Sequence, residues 1–112
     1  MDPKLFTGTL EMMVLDVVSH EPSYGYEIAQ PVVTRSRGVF EIKEGSLYPA
    51  LHRLERQKLL ASYWVDAPEG RRRKYYKLTA AGQRVLAAKR AEWKEFSGGV
   101  SQVLGDATYG TV

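Results

Sequence analysis

The chain has 112 residues, 44% of them hydrophobic and 26% charged, with no cysteine and a net charge of +3 at pH 7. That length suits one domain with a modest core, and the lack of cysteine excludes a disulfide framework and a thiolate zinc site. No apolar run approaches the ~20 residues that span a bilayer, and the opening MDPKLFTGTLEMM lacks a signal peptide's basic region and unbroken apolar core, so a cytoplasmic location without a membrane partner is expected.

The first predicted helix is capped by Thr9 and runs to about Ser19. Leu10, Met13, Val14, Val17 and Val18 recur at i, i+3, i+4, i+7 and i+8, the stripe of a core-facing helix. Met12 and Leu15 fall off that stripe, and Leu5 and Phe6 precede it. The surplus apolar surface is consistent with burial against a partner. Glu21-Pro22-Ser23 breaks the chain, and Ser23 can cap a second helix opened by Tyr24-Gly25-Tyr26-Glu27-Ile28. Pro31 lacks an N–H and would clash with the preceding turn, so a kink or an end near Gln30 is expected, with Gly38 as the final stop. Val39-Phe40-Glu41-Ile42 is too short for a helix and reads as a single edge strand.

The stretch Lys43–Leu60, KEGSLYPALHRLERQKLL, reads as a third helix with two unlike faces. At about 100° per residue Leu47, Leu51 and Leu54 share one narrow sector. Gly45, Pro49, His52, Arg53 and Arg56 lie opposite, with no acid at the centre of that side. Pro49 is tolerated because the first turn's N–H groups have no intrahelical partner. A basic, hydrogen-bonding outer face suits a DNA major groove; it equally suits plain solvation. Next comes a hairpin: Leu60–Asp66 and Arg71–Leu78 around the turn Ala67-Pro68-Glu69-Gly70. Arg71, Arg72, Arg73 and Lys74 would cluster at its tip, and Tyr75 or Tyr76 would face inward. Thr79 caps a last helix. There Leu86, Trp93 and Val100 repeat every seven residues, with Phe96 and Val103 in a second seam. Gly98-Gly99 weakens it at roughly 1 kcal/mol each, and residues 105–112 read as a flexible tail.

Charge follows the same division. Residues 35–77 hold eleven lysines and arginines against five acids, a net +6, while the remainder holds five against eight, a net −3. A localised basic region in an acidic remainder is the footprint of a polyanion binder. No enzyme site is visible. His20 and His52 lie in different elements, no glycine pattern forms a phosphate loop, and the carboxylates form no pair, so no catalytic residue, metal or cofactor is expected. Tyr24, Tyr26 and Tyr48 fit either half-buried packing or phosphate contact. Two functions remain: a DNA-binding regulator, and a winged-helix module for protein–protein assembly whose basic hairpin only keeps it soluble. Both faces that could meet DNA lie in the +6 region, and assembly does not require that coincidence.

The expected fold is mainly α with a small β-hairpin, an α+β winged helix-turn-helix with a C-terminal dimerisation helix. The boundaries are 1–78 for the winged helix-turn-helix, 79–104 for the dimerisation helix and 105–112 for the tail. The chain resembles the PadR family of transcriptional regulators, in particular its short members. The resemblance rests on Tyr24-Gly25-Tyr26-Glu27-Ile28, on Phe40 to Glu55 (FEIKEGSLYPALHRLE) and on Gly70 to Gly82 (GRRRKYYKLTAAG), in the family's order and spacing. It implies a homodimeric repressor, paired through the first and last helices and relieved in several members by small aromatic or hydrophobic molecules. The apolar surplus of the first helix and the Leu86, Trp93, Val100 stripe add the expectation of a two-fold dimer on a near-palindromic DNA operator. Pro49, His52, Arg53 and Arg56 are the expected base-reading face; Arg71, Arg72, Arg73 and Lys74 the wing; Lys43, Ser46 and Tyr48 further phosphate contacts. Leu5, Met12, Leu15, Leu86, Trp93, Phe96 and Val100 are the expected dimer or effector surface.

Overall fold

The computed structural model describes residues 3–106, with side chains from Thr9 onward. The elements are α1 (Pro3–His20), β1 (Ser23–Tyr24), α2 (Gly25–Arg35), α3 (Glu44–Arg56), β2 (Leu60–Asp66), β3 (Arg72–Leu78) and α4 (Ala80–Leu104). The α+β winged-helix class expected from the sequence is the one observed. The strands form an antiparallel sheet in the order β1-β3-β2.

The core lies where α1, α2 and α3 converge on the inner face of the sheet. Leu10, Val14, Val17 and Val18 bury as the stripe on α1 predicts, and Leu47, Leu51 and Leu54 bury from α3 together with Ala50. Ile28 comes from α2 and Tyr76 from β3. Each such aliphatic side chain contributes about 1.5–3 kcal/mol when taken fully out of water. Leu15 belongs to this core as well: it is 0% exposed. The chain's own fold therefore covers it, and it offers no surface to a partner. Leu86, at 6% exposure, is likewise enclosed by the chain's own fold. The side chain of Leu5 lies outside the described residues.

Several local expectations give way to tertiary context. α1 starts at Pro3, six residues ahead of Thr9, with proline in the first turn, where its missing N–H costs nothing. Ser23 is a strand residue rather than a cap. It pairs with Tyr76 while Tyr24 pairs with Tyr75, and Tyr24 becomes the N-cap of α2, its N–H donating to the Glu27 carboxylate at 3.4 Å. The edge strand is thus β1, and Val39–Ile42 is irregular. α2 runs through Pro31 to Arg35, because Ile28 and Val32 anchor it on both sides of the proline. It stops in a turn with Arg37 at φ 54° and Gly38 at φ 78°. α3 starts at Glu44, so Pro49 is its sixth residue and lies inside the helix rather than in the first turn as expected, and the helix ends at Arg56 instead of Leu60. Lys58 takes the left-handed conformation (φ 62°) and the Leu59 N–H returns to the Leu54 carbonyl at 3.0 Å, a Schellman-type stop made without glycine.

α4 is tied to the end of α3 through Thr79. Its hydroxyl accepts from the Gly82 N–H at 2.9 Å and reaches the carbonyl of Lys58 at 2.8 Å, while its own N–H donates to the Leu59 carbonyl at 3.1 Å. The helix then passes through Gly98-Gly99 without interruption and closes on Gly105, left-handed at φ 79°. At 1.5 Å per residue its 25 residues reach about 37 Å, so its second half projects beyond the body. Residues 107–112, most of the expected tail, lie outside the described ones.

Candidate nucleic-acid interface

The two elements expected to meet DNA lie beside each other. α3 presents Gly45, Pro49, His52 and Arg56 to solvent, all exposed, with Lys43 and Ser46 exposed at its start. Tyr48 is exposed too, and its ring rests against the backbone of α2: a Cβ on Gly25 would stand 2.7 Å from the Tyr48 hydroxyl. The Tyr-Gly-Tyr segment and the Tyr-Pro segment of the sequence are therefore one packing unit.

The wing places its four bases differently from a shared tip. Strand alternation sends Arg72 and Lys74 to one face and Arg73 to the other. Lys74 turns back toward α3, where its ammonium donates to Glu55 at 3.2 Å and lies 5.4 Å from the Tyr76 ring. Glu55 also accepts from the Ser62 hydroxyl. Those bonds, Ser62 first and then Lys74, outweigh the opposing effect of burial and hold the Glu55 carboxyl below the usual carboxylate range. Burial works against the charged Lys74, but the Glu55 hydrogen bond and the nearby charges outweigh it and raise its pKa above the usual lysine value. Burial likewise pushes the Tyr76 phenol up. Arg73 packs over the Tyr24 ring at 4.5 Å and pairs with Glu69. Tyr24, Tyr75 and Tyr63 form a ring ladder behind it, at 5.4 and 5.8 Å between centroids.

Arg71 and Arg72 are the bases left at the exposed end of the wing. Arg72 lies 5.1 Å over the ring of Trp64, which is 56% exposed, and 3.7 Å from the Asp66 carboxylate. Sequence reasoning assigned Trp64 no role. An aromatic on the outer half of a basic hairpin was the available signal. Arg53 also departs from a simple outward pose: its Nε donates to Glu11 of α1 at 2.9 Å. Among the described residues no group of three or more His, Asp or Glu side chains could hold a metal ion.

A second surface lies on α4. Trp93 (47% exposed), Phe96 (60%) and Val103 (87%) lie along its projecting half, with Val100 and Leu104 also exposed. The Trp93 and Phe96 rings are neighbours, 6.2 Å apart and tilted by 39°. Beside them a cavity of about 570 Å³ opens between α1, α2 and α4, with Met12, Met13, Val17, Phe40 and Trp93 among its walls. At its edge Asp16 of α1 meets Arg35 of α2 at 3.4 Å and the guanidinium of Arg90 on α4. No described helix is long and apolar enough to cross a membrane.

The sequence profile of the "Transcriptional regulator PadR-like family" matches residues 14–88. The chain is 38% identical over 77 residues to the transcriptional regulator Rv3488 of Mycobacterium tuberculosis, covering 65% of this chain and 71% of that one. Among solved structures it is similar to a PadR family transcriptional regulator from Eggerthella lenta, at 38% identity and a TM-score of 0.79, over 91% of this chain and 87% of that one. A transcriptional regulator from Clostridium thermocellum matches at 28% identity with the same TM-score, over 92% and 96% of the two chains.

Proposed function

The chain belongs to the PadR-like family of transcriptional regulators, and from that premise we propose that it is a ligand-responsive, homodimeric repressor that binds a near-palindromic DNA site in the cytoplasm. One observation carries the reading: the exposed face of α3 and the basic end of the wing lie in the same +6 region. α3 enters the major groove with Pro49, His52, Arg53 and Arg56. The wing lies along the backbone or minor groove with Arg71 and Arg72, and Lys43, Ser46 and Tyr48 meet phosphates at the start of α3. Arg73, already paired with Glu69 in the wing, and Lys74, paired with Glu55 of α3, add to the field more than to direct contact.

The dimer reading rests on the projecting half of α4. Trp93, Phe96, Val100, Val103 and Leu104 are an exposed apolar strip on a helix whose first half is already packed on its own protomer. A second copy would cover it. Residues 1–78 then act as the DNA-binding unit and 79–104 as the pairing helix. On a two-fold axis the two α3 helices address half-sites about one DNA turn, ~10 bp, apart.

The test is a mobility shift of duplex DNA at graded salt, together with light scattering. Retarded DNA with a steep salt dependence and a dimer at micromolar concentration are the expected results. Weak, salt-insensitive binding favours the protein–protein assembly module, and a monomer removes the dimer. Sequencing the genomic DNA retained by the purified protein gives the operator.

A further inference from the structure

We propose that Glu11 of α1 is a positioning residue for sequence reading: it holds Arg53 by its Nε and leaves the terminal edge of the guanidinium to grip a guanine. The inference rests on the DNA-binding reading above and deepens it.

Arg53 sits on the flank of α3 that faces α1, about 80° around the helix from the mean direction of His52 and Arg56 at 100° per residue. Its side chain is half exposed, and Glu11 is partly buried beside it. The contact is specific to one nitrogen. Nε donates to Glu11 Oε1 at 2.9 Å, and among the described residues the two terminal nitrogens carry no hydrogen bond. A guanidinium has five N–H donors in a rigid plane. Fixing the one on Nε fixes the plane and the direction of the other four. Two parallel N–H groups at the terminal edge match the O6 and N7 acceptors of guanine in the major groove. A phosphate-binding arginine needs no such fixing, because attraction to a polyanion survives a mobile side chain. An acid beside a DNA-binding face repels phosphate, so its presence there calls for a compensating role, and orienting Arg53 supplies one.

Glu11 comes from α1, which also meets Arg90 of α4 and Arg35 of α2 through Asp16. The arginine that reads DNA is thus set by the helix on which the other helices pack, and not by α3 alone. That makes the direction of Arg53 depend on how α1 sits against α3.

The experiment is selection of binding sites from randomised duplexes by the full-length chain, followed by affinity measurements on the selected site and on single-base variants. The proteins are the parent, Glu11→Ala, Glu11→Gln, Arg53→Ala and the double variant Glu11→Ala/Arg53→Ala. The parent should prefer guanine at one position per half-site by roughly 10- to 100-fold, and Arg53→Ala should abolish that preference. Glu11→Ala should lose most of it without weakening binding to unrelated DNA. Glu11→Gln keeps an oxygen acceptor while losing the charge, and should retain a clear part of the preference. In the Arg53→Ala background Glu11→Ala should change the preference no further. Urea unfolding of each variant checks that the fold is retained. The inference is overturned if Glu11→Ala keeps the guanine preference. It is also overturned if Glu11→Ala and Glu11→Gln raise affinity for all sequences alike, with or without Arg53, since Glu11 would then act only as a charge. An Arg53→Ala variant that weakens every sequence equally makes Arg53 a phosphate contact and overturns it too. A parent that selects no sequence defeats the DNA-binding reading itself, a result distinct from a parent that selects a site on which Glu11 has no influence.

Discussion

Gly82 packs flat against the backbone carbonyl of Leu59, and a Cβ at this position would also stand 2.6 Å from Leu78 Cδ1. The contact fixes where α4 leaves the sheet. Gly82 sits in the first turn of α4, where alanine would ordinarily be favoured by up to about 1 kcal/mol. Here the sign reverses, because the nearest atoms are backbone and cannot swing aside. Gly82→Ala should destabilise the protein by about 1–3 kcal/mol, the usual cost of overpacking. Gly45→Ala is the contrast: nothing lies within 4 Å of its Cβ on the open side of α3, so it should stabilise by about 0.5–1 kcal/mol. Urea unfolding midpoints measure both, and equal effects of one sign would show that the Leu59 contact yields freely.

The Glu55–Ser62–Lys74 cluster joins α3 to the wing and gives stability a dependence on pH at both ends. Glu55 is held below the usual carboxylate range, chiefly by the Ser62 and Lys74 hydrogen bonds against the cost of burial. Its contribution is therefore present above the unfolded-state value and is lost as pH falls through the folded one. Lys74 titrates above the usual lysine range, the Glu55 bond outweighing burial, and burial raises Tyr76. Their contributions are complete below the unfolded values and are lost as pH rises through the folded ones. Glu55→Gln should flatten the acid side of the stability curve, and Lys74→Met should flatten the alkaline side. Unfolding midpoints measured across pH decide it; parent and variant curves that run parallel on both sides would remove the cluster from the pH response.

How far the sequence reaches depends on whether a feature is local. The α1 stripe, the leucines of α3, the Thr79 cap and the β2–β3 hairpin rest on periodicity and turn chemistry carried by neighbouring residues, and all were legible. Leu15 and Leu86 were misread because counting a stripe gives one buried face per helix, whereas α1 is covered on more than one side and α4 begins inside the core. The end of α3 was hidden because Lys58 adopts a left-handed conformation that composition assigns to glycine or asparagine. β1 was hidden because two residues carry no alternation and exist only through pairing with β3. At the candidate interface, the exposure of Pro49, His52 and Arg56 follows from helix periodicity, whereas the partners of its side chains do not. That Arg53 is held by a residue 42 positions earlier, and Lys74 by one 19 earlier, follows from tertiary packing alone.

Arg72 should act on all DNA sequences alike. It lies near the exposed end of the wing, its side chain 66% exposed, and its pair with Asp66 is a surface contact of the kind worth about 0.2–1 kcal/mol. A phosphate can take Asp66's place at little cost. Arg72→Ala should weaken binding to specific and unrelated duplexes by the same factor and reduce the slope of log affinity against log salt by about one unit. Trp64→Ala should produce a smaller loss of the same kind, since the ring only restrains the guanidinium, a contact worth about 0.5–1 kcal/mol at an exposed site. Changing His52 or Arg53 should alter sequence preference instead. A change of preference in Arg72→Ala with an intact salt slope would reverse the roles of wing and helix.

Trp93 is where a small flat apolar molecule should act. Its ring is adjacent to Phe96 and forms part of the wall of the 570 Å³ cavity between α1, α2 and α4. That size falls within the range of small-molecule sites, about 300–1,000 Å³. In a two-fold dimer paired through α4, two such pairs of rings would come close together, and ring stacking adds about 0.5–1.5 kcal/mol beyond area burial. The same rings could instead only fill the dimer core, and the experiment separates the two. A ligand that prefers one spacing of the α4 helices alters the spacing of the α3 helices, provided it binds that state more tightly. Planar aromatic compounds are titrated while Trp93 emission and operator affinity are followed, with Trp64→Phe as the background that removes the other tryptophan. Quenching that saturates together with loss of operator affinity is expected, and both effects should weaken strongly in Trp93→Ala. If no compound lowers operator affinity, or if compounds act equally on a Trp93→Ala protein that is still dimeric, Trp93 is a packing residue of the dimer and not a sensor.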